Sequence, residues 1–159
     1  DSATPKEFEF TCDQPVIAEL PDQKEIEGLG GTMRLGGQDI EITPGSMAEK
    51  LYQSTNIRER FRHRYEVEPE YIDRFINAGL IFSGHHPDHQ IMQVLELPTE
   101  MHPFFIATQF HPELTSRPLR PQPIFMGLVA AAIAHRTADP QPKGIDSRWL
   151  TINHAQPTA

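Results

Sequence analysis

The chain has 159 residues, enough for one domain that buries about 68–70% of its unfolded surface. Its hydrophobic share of 38%, with 15 prolines and 10 glycines, is typical of a globular protein with many loops and excludes a coiled coil or a disordered chain. The net charge of -8 argues against a nucleic-acid partner, because affinity for a phosphate backbone comes from clustered lysine and arginine.

The sequence also indicates a cellular setting. No run approaches the length of about 20 apolar residues that a membrane span requires, so no membrane partner is expected. The start of the chain has no basic region followed by an apolar stretch, and therefore predicts no signal peptide. The single cysteine, Cys12, cannot form an internal disulfide. Together these features predict a cytoplasmic protein.

In chain order, the first predicted element is a strand, PVIAEL, within residues 8–20. The glycine-rich segment GLGGTMRLGG then predicts a loop, and residues 38–42 alternate as a short strand. Ser46 and Glu49 have the spacing of a capping box, in which each side chain satisfies the other's backbone amide. They predict a helix that runs to about Gln53.

Four arginines alternate through the next segment, RERFRHRYEV. On a strand, this spacing places all four side chains on one face. Two interpretations stay open: a solvated edge strand whose charges discourage pairing with other strands, or a surface that binds anions. The four residues are Arg58, Arg60, Arg62 and Arg64.

Further along, a helix and a hairpin are predicted. Pro69 favours the first turn of a helix that is expected to bury Ile72, Phe75 and Ile76 and to end at Gly79. The segments LIFSG and IMQVLEL then predict two strands of a hairpin around the turn HHPDHQ.

The last elements are a strand, a helix and a tail. A nearly continuous apolar run, residues 104–110, predicts a strand covered on both faces. Residues 124–134 predict a helix that packs on the sheet. Apolar residues show no helical or strand periodicity in residues 137–159. This segment is predicted to be a tail that is disordered or docked by Trp149 and Leu150 alone.

The candidate catalytic residues follow the apolar strand directly. Side chains at the carboxyl edge of an α/β sheet face the crevice where ligands bind. There, His111 can take a proton from a nucleophile and return it to a leaving group, while Glu113 can fix its tautomer. The bare motif His-Pro-Glu is weak, because a histidine at a strand end is more often structural.

Four segments give the chain a family likeness: GGTMRLG, RHRYEV, QFHPE and SRPLRPQPIF. On these segments, in this order and at this spacing, residues 2–135 resemble the C-terminal part of the class I glutamine amidotransferase domain of CTP synthase. GGTMRLG and RHRYEV are far more specific than QFHPE, which other class I glutamine amidotransferases share. Phe61 departs from the pattern, since relatives often carry a basic residue or histidine there.

The resemblance implies a fold and a division of the chain. The fold class would be α/β, a partial class I glutamine amidotransferase fold. This is a flavodoxin-like three-layer sandwich, here without its N-terminal strands and nucleophile elbow. Residues 1–136 would form the C-terminal portion of the amidotransferase domain, and residues 137–159 a C-terminal tail.

The resemblance also implies an activity. In CTP synthase a glutaminase domain hydrolyses glutamine, and the ammonia passes to a synthase domain that uses ATP and Mg²⁺ to aminate UTP, with GTP as an effector. Relatives form homotetramers. The expected partners of the chain are glutamine, the N-terminal remainder of the amidotransferase domain and the synthase domain. No cofactor is expected in the chain itself.

By position, the resemblance makes His111 the general base and acid and Glu113 the residue that orients it. Arg64 with Tyr65 would lie at the glutamine pocket or at the neighbouring GTP-effector boundary, because a planar guanidinium binds a carboxylate or a phosphate through two hydrogen bonds. A wall or lid over that site would come from Gly30, Gly31, Met33 and Arg34.

The family's nucleophilic cysteine lies in a Gly-x-Cys-x-Gly-like elbow that the resemblance places upstream of these residues. Cys12 has neither flanking glycines nor a following helix, and is therefore predicted to be a buried or incidental thiol. The chain alone is expected to be inactive. It is also expected to be a piece of a longer product or to bind a complementary chain.

Two functions of other classes stay open. One is a non-catalytic amidotransferase-like module kept for binding or assembly. The other is metal binding by His85, His86, Asp88 and His89. The spacing of these four residues fits a hairpin turn and no cysteine supports them, so no metal is expected.

Overall fold

The structure is a computed structural model that describes residues 3–5, 14–19 and 34–137. Its strands are β1 (Ala3–Pro5), β2 (Gln14–Ala18), β3 (Arg34–Ile42), β4 (Asn56–His63), β5 (Glu66–Val67), β6 (Ile81–His85), β7 (Met92–Glu96) and β8 (Ile106–Thr108). Its α-helices are α1 (Met47–Tyr52), α2 (Pro69–Asn77) and α3 (Pro123–Thr137). Cys12, Gly30, Gly31, Met33 and residues 138–159, which include the predicted anchors Trp149 and Leu150, lie outside the described residues.

Two sheets form in the part of the chain that the structure describes. The smaller sheet has the order β1-β2-β5, with β1 and β2 parallel and β2 and β5 antiparallel. The larger sheet has the order β4-β3-β6-β7-β8, and each neighbouring pair is antiparallel. The strand predicted within residues 8–20 is confirmed as β2, and the predicted hairpin is confirmed as β6 and β7.

The larger sheet curls, so that its two outer strands approach each other. Phe110, just after β8, forms a bridge with Phe61 in β4. The backbone amide of His111 donates to the carbonyl oxygen of Arg60 at 2.9 Å. The curl therefore brings the His-Pro-Glu motif next to β4.

Of the two interpretations of the arginine-rich segment, the edge strand agrees with the structure, since β4 is an outer strand of the larger sheet. Arg64 lies just beyond the end of β4. Arg58, Arg60 and Arg62 are exposed and alternate with the buried residues Glu59 and Phe61. Unpaired strand edges attract other strands, and a row of charges discourages such pairing.

The hydrophobic core lies between the curled sheet and helices α1 and α3. Phe110 stands near its centre and makes edge-to-face contacts with Phe61 and Tyr52, at ring-centroid distances of 6.0 and 6.4 Å. The other buried members are Ile40, Ile42, Met47, Ala48, Leu51, Val94, Phe104, Ile124 and Ala131. Burying a large apolar side chain contributes about 1.5–3 kcal/mol, so this core firmly anchors the residue that precedes His111.

Helix α1 begins at Ser46, as predicted, because the hydroxyl of Ser46 accepts a hydrogen bond from the amide of Glu49 at 3.1 Å. The reciprocal half of the predicted capping box is wrong. The carboxylate of Glu49 accepts from the amide of Gly45 at 2.7 Å, while the amide of Ser46 donates to the carbonyl of Thr43 at 3.3 Å. The predicted end is confirmed at Gln53, which adopts the left-handed conformation with φ 54°.

A second carboxylate reaches the start of α1 from strand β7. Glu96 is buried, and its two oxygens accept from the amides of Met47 and Ala48 at 2.8 and 3.1 Å. Amides in the first turn of a helix have no partner within the helix, and a negative charge is favourable at that end. Glu96 therefore joins α1 to the sheet.

We expect Glu96→Gln to lower the free energy of unfolding by about 1–3 kcal/mol, because the amide supplies one oxygen acceptor where the carboxylate supplies two. Denaturant unfolding of the whole protein, followed by hydrogen exchange in α1, measures this loss. Glu49→Gln is the matched control. Its partner Gly45 is exposed, so water replaces the lost bond and the change should stay within about 0.5 kcal/mol. Equal losses in the two variants would contradict the role given to Glu96.

The prediction for residues 104–110 is wrong in extent and in burial. The strand is limited to Ile106–Thr108, and Phe105 and Ala107 are exposed in the structure of the described residues. The reason is that β8 is an outer strand of the curled sheet. Successive side chains of a strand point to opposite faces, and one face of β8 points away from the core.

In helix α2, the burial predicted for Ile76 is also wrong, because half of this residue is exposed. The helix instead buries Tyr71 and Ile72, and Phe75 packs against Phe82 of β6 at a ring-centroid distance of 6.2 Å. A short helix that packs on one strand covers only a narrow stripe, and Ile76 lies outside it.

Arg34 and the glycines after it were predicted in a loop, but they begin strand β3. Arg34 pairs with His63 and Gly37 pairs with Arg60. The continuous ladder of backbone hydrogen bonds to β4 outweighs the low strand propensity of glycine.

The helix predicted for residues 124–134 is confirmed as α3. It approaches α1 and the connection before β8 closely at Gly127, where an added Cβ atom would lie 2.8 Å from Cε2 of Phe104. The exposed large apolar residues of α3 are Phe125, Leu128 and Val129. None of the described helices has the length and apolar character needed to cross a bilayer.

Candidate active site

The candidate catalytic dyad is formed by His111 and Glu113. Nδ1 of His111 lies 2.8 Å from Oε1 of Glu113. A short 3₁₀ turn, Pro112–Leu114, follows His111 and holds the two side chains at this spacing. When Nδ1 donates its proton to Glu113, Nε2 is the nitrogen that can accept a proton from a nucleophile.

Both side chains of the dyad are accessible to a substrate. His111 has 38% of its side chain exposed, and Glu113 has 58%. The pKa of the Glu113 carboxyl lies below its ordinary value, because its own backbone amide and then the imidazole of His111 donate hydrogen bonds to it. Glu113 is therefore ionised at neutral pH and able to orient an imidazolium.

The backbone before the dyad is held on two sides. The hydroxyl of Thr108 donates to the carbonyl of Phe110 at 2.9 Å. The amide of Gln109 donates to the carbonyl of Gln93 at 3.0 Å, and the amide of His111 donates to Arg60. These contacts to β7 and β4 fix the point at which the imidazole leaves the sheet.

A buried cluster of charged and polar side chains lies beside the dyad. Nη2 of Arg34 is 2.9 Å from Oε1 of Glu66 and donates to Oε1 of Gln109 at 3.1 Å. The side chains of Arg34 and Glu66 are only 1% and 0% exposed. The guanidinium of Arg34 also lies over the ring of Phe61, 4.5 Å from its centroid.

The electrostatics of this cluster follow from its burial. Burial raises the pKa of Glu66 to about 7, although Arg34 and Gln109 favour its ionised form. Burial, and then the charge of Arg34, lower the pKa of His63 to about 4. His63 is therefore neutral at pH 7, and its Nε2, 3.6 Å from Oε2 of Glu66, makes no ion pair there. Arg34 is the cation that balances Glu66.

The sequence profile of the family Glutamine amidotransferase class-I matches residues 10–131. The chain belongs to this family. Among curated proteins, it is 46% identical over 149 residues to a CTP synthase of Saccharopolyspora erythraea, and the match covers 91% of the chain and 26% of the relative. It is 51% identical over 134 residues to a CTP synthase of Archaeoglobus fulgidus, covering 84% of the chain and 25% of the relative.

The fold has a counterpart in a solved structure, Trypanosoma brucei CTPS glutaminase domain with bound acivicin. The TM-score is 0.73 at 31% sequence identity, and the match covers 83% of this chain and 51% of that chain. The predicted family and the predicted fold class, part of the class I glutamine amidotransferase fold, are confirmed. The chain spans about a quarter of the length of the two CTP synthases, 26% and 25%.

The amidotransferase site residues predicted from sequence lie in two places. Arg64 and Tyr65 connect β4 to β5, and Nε of Arg64 lies 3.6 Å from Oε1 of Glu19. Arg64 is exposed and Tyr65 half-buried. Arg34, predicted beside the glycines of the lid, has its guanidinium in the buried cluster.

Sequence reasoning did not single out Glu66, His63 or Gln109. All three belong to segments on which the family likeness rests, RHRYEV and QFHPE. Their membership of these segments was the available signal. Alternation along a strand gives no indication that Glu66, next to the apolar Val67, is buried as well.

A cleft of about 980 Å³ lies beside the exposed arginines of β4. Arg58, Arg60, Arg117 and Arg120 line it, together with Leu114 but neither residue of the dyad. At its base, the buried carboxylate of Glu59 accepts hydrogen bonds from Tyr52, Gln122 and Thr115. The interpretation of the arginines as an anion-binding surface stays a prediction.

The metal-binding alternative finds no support in the described residues, where no group of three or more His, Cys, Asp or Glu side chains is arranged to hold an ion. His86 Nδ1 accepts from the amide of Asp88 at 3.1 Å, and its ring packs against His89 at a centroid distance of 4.8 Å. Nδ1 of His85 lies 3.1 Å from the carbonyl of His86. These contacts stabilise the hairpin turn.

Proposed function

We propose that the chain is the part of a glutaminase domain that carries its acid–base residues, and that the whole protein is a CTP synthase. The observation that carries the proposal is the hydrogen-bond distance of 2.8 Å between His111 and Glu113 in a chain of the class I amidotransferase family. A histidine oriented by a carboxylate is the arrangement that activates a nucleophile in hydrolases.

In the proposed reaction, the thiol nucleophile comes from a part of the protein outside these residues. Nε2 of His111 takes the proton of the thiol as sulfur attacks the amide carbon of glutamine. His111 then gives that proton to the departing nitrogen, so that ammonia leaves and a thioester remains. A water molecule, deprotonated by His111, hydrolyses the thioester to glutamate and restores the thiol. Glu113 holds the ring and stabilises its charged form.

The substrate side of the site is proposed to include Arg64 and Tyr65, at the glutamine pocket or at the boundary with a GTP effector. The guanidinium of Arg64 is exposed and has one carboxylate neighbour, Glu19, at 3.6 Å. Its remaining donors are available to a carboxylate or a phosphate. Gly30, Gly31 and Met33 are proposed to form, together with Arg34, a wall or lid over that site.

For the whole protein, we propose the reaction for which the CTP synthase relatives are named. Ammonia would pass to a synthase domain, which would use ATP and Mg²⁺ to aminate UTP. The remainder of the amidotransferase domain and the synthase domain would be the partners of this chain. We also propose that the whole protein is a cytoplasmic homotetramer regulated by GTP.

The test is nitrogen transfer by the whole protein. With glutamine, UTP, ATP and Mg²⁺, we expect equimolar glutamate and CTP. With ammonium chloride in place of glutamine, we expect CTP without glutamate. CTP from ammonia combined with no release of glutamate from glutamine would contradict a glutaminase role and would favour a non-catalytic binding or assembly module.

A further inference from the structure

Arg34 occupies an unusual place for an arginine near a proposed substrate site. It is the first residue of β3, within the glycine-rich segment GLGGTMRLGG, yet its side chain is 1% exposed. Removing a charge from water is costly unless the charge is paired and hydrogen-bonded, so a buried guanidinium depends on its partners and they depend on it. The partners of Arg34 are Glu66 and Gln109.

Each partner belongs to a different half of the proposed glutaminase site. Glu66 directly follows Arg64 and Tyr65 and begins β5. Gln109 is two residues before His111, in the short connection after β8. A single nitrogen, Nη2 of Arg34, is 2.9 Å from the carboxylate of Glu66 and 3.1 Å from the side-chain oxygen of Gln109.

We propose that Arg34 is a positioning residue of the glutaminase site, which sets the distance between the glutamine-binding segment at Arg64 and the His111–Glu113 dyad. The proposal rests on the proposed function. In this role Arg34 does not contact the substrate. It acts by holding Glu66 and Gln109 in place.

The geometry favours arginine over other residues at this position. The guanidinium carbon of Arg34 lies over the ring of Phe61, 4.5 Å from its centroid, while Nη2 reaches both partners. Phe61 itself is bridged to Phe110, which precedes His111. A lysine ammonium can pair with Glu66 but is a point charge without a flat face, so it cannot reproduce both contacts.

The expected effect is on catalysis with glutamine. Displacing a catalytic group by about 1 Å from its productive position can cost about 100-fold in rate. We therefore expect Arg34→Met to lower kcat/KM for glutamine by about 100-fold. Both a higher KM and a lower kcat should contribute, because Arg34 no longer joins the glutamine-binding segment to the dyad. Arg34→Lys should recover part of this loss, about 10-fold, through its pairing with Glu66.

The experiment measures glutamine hydrolysis and CTP formation by the whole protein. The matched control is Arg74→Met in α2. Arg74 is exposed, and its guanidinium also lies over an aromatic ring, that of Tyr71, at 5.1 Å from the centroid. We expect this control to stay within about two-fold of wild type, because substitutions of exposed residues have small effects. Ammonia-dependent CTP formation should stay at the wild-type level in every variant, which separates positioning from general unfolding.

Gln109→Met provides a second route if Arg34→Met does not fold. It removes one contact of Arg34 and leaves the ion pair with Glu66, and we expect a loss of about 10-fold in kcat/KM for glutamine with normal use of ammonia. Glutamine kinetics within two-fold of wild type in a folded Arg34→Met or Gln109→Met protein would overturn the positioning role. A wild-type protein without glutaminase activity would instead overturn the proposed function.

Discussion

Replacing His111 with alanine is expected to lower glutamine-dependent CTP formation by the whole protein at least about 1,000-fold. General acid–base catalysis by one positioned side chain contributes about 100-fold to 10,000-fold, and here the same imidazole serves both formation and hydrolysis of the thioester. The dyad distance of 2.8 Å is that of a hydrogen bond through which Glu113 orients His111. Ammonia-dependent CTP formation should be unchanged, because it bypasses glutamine hydrolysis.

Glutamate release and CTP formation, measured with glutamine and separately with ammonium chloride, check this expectation. His135→Ala is the control, since His135 is an exposed histidine in α3, outside the site. It should have wild-type activity with both nitrogen sources. An active His111→Ala protein with glutamine would show that the dyad is not the acid–base pair of this protein.

A large effect on stability is expected from Gly127→Val in helix α3. A Cβ atom at this position would lie 2.8 Å from Cε2 of Phe104 and still closer to Cδ2 of Leu51. Replacing a helical glycine with valine gains only about 0.3 kcal/mol in helix propensity, even when the new side chain fits. Overpacking a filled core costs about 1–3 kcal/mol, and valine adds two further methyl groups. We therefore expect a net loss of about 2 kcal/mol.

Denaturant unfolding of the whole protein, with hydrogen exchange followed in α1 and α3, measures this loss locally. The matched control is Ala132→Val, which places the same side chain at an exposed position of the same helix. It should cost no more than about 0.7 kcal/mol, the ordinary difference in helix propensity. A Gly127→Val protein as stable as the control would contradict the close packing of α3 on α1.

Sequence patterns within a few residues predicted those strands and helices that are determined by neighbouring residues. Alternation of arginine with Glu59 and Phe61 indicated a strand and left two interpretations open, of which the edge strand agrees with the position of β4. The hydroxyl of Ser46 predicted the start of α1. β3 shows the limit of such patterns, because Gly36 and Gly37 predicted a loop. Their pairing with β4 depends on residues more than 20 positions away, about which local propensity carries no information.

The same difference between local and distant contacts applies to the residues of the candidate site. The His-Pro-Glu motif and its family likeness predicted the pairing of His111 with Glu113, which are close in sequence. The cluster of Arg34 with Glu66 and Gln109 was not predictable. Arg34 and Gln109 are 75 positions apart and meet because the sheet curls. A strand pattern indicates which side chains share a face, but it does not indicate which distant face will oppose them.

Helix α3 has a practical consequence for work with these residues in isolation. Phe125, Leu128 and Val129 are spaced along one side of the helix and are exposed to solvent. Adjacent apolar side chains of this kind promote self-association at the concentrations used for crystallisation or NMR. Lysine or glutamate at these three positions is the most direct route to a soluble sample, since none of the three is part of the buried core that holds Phe110.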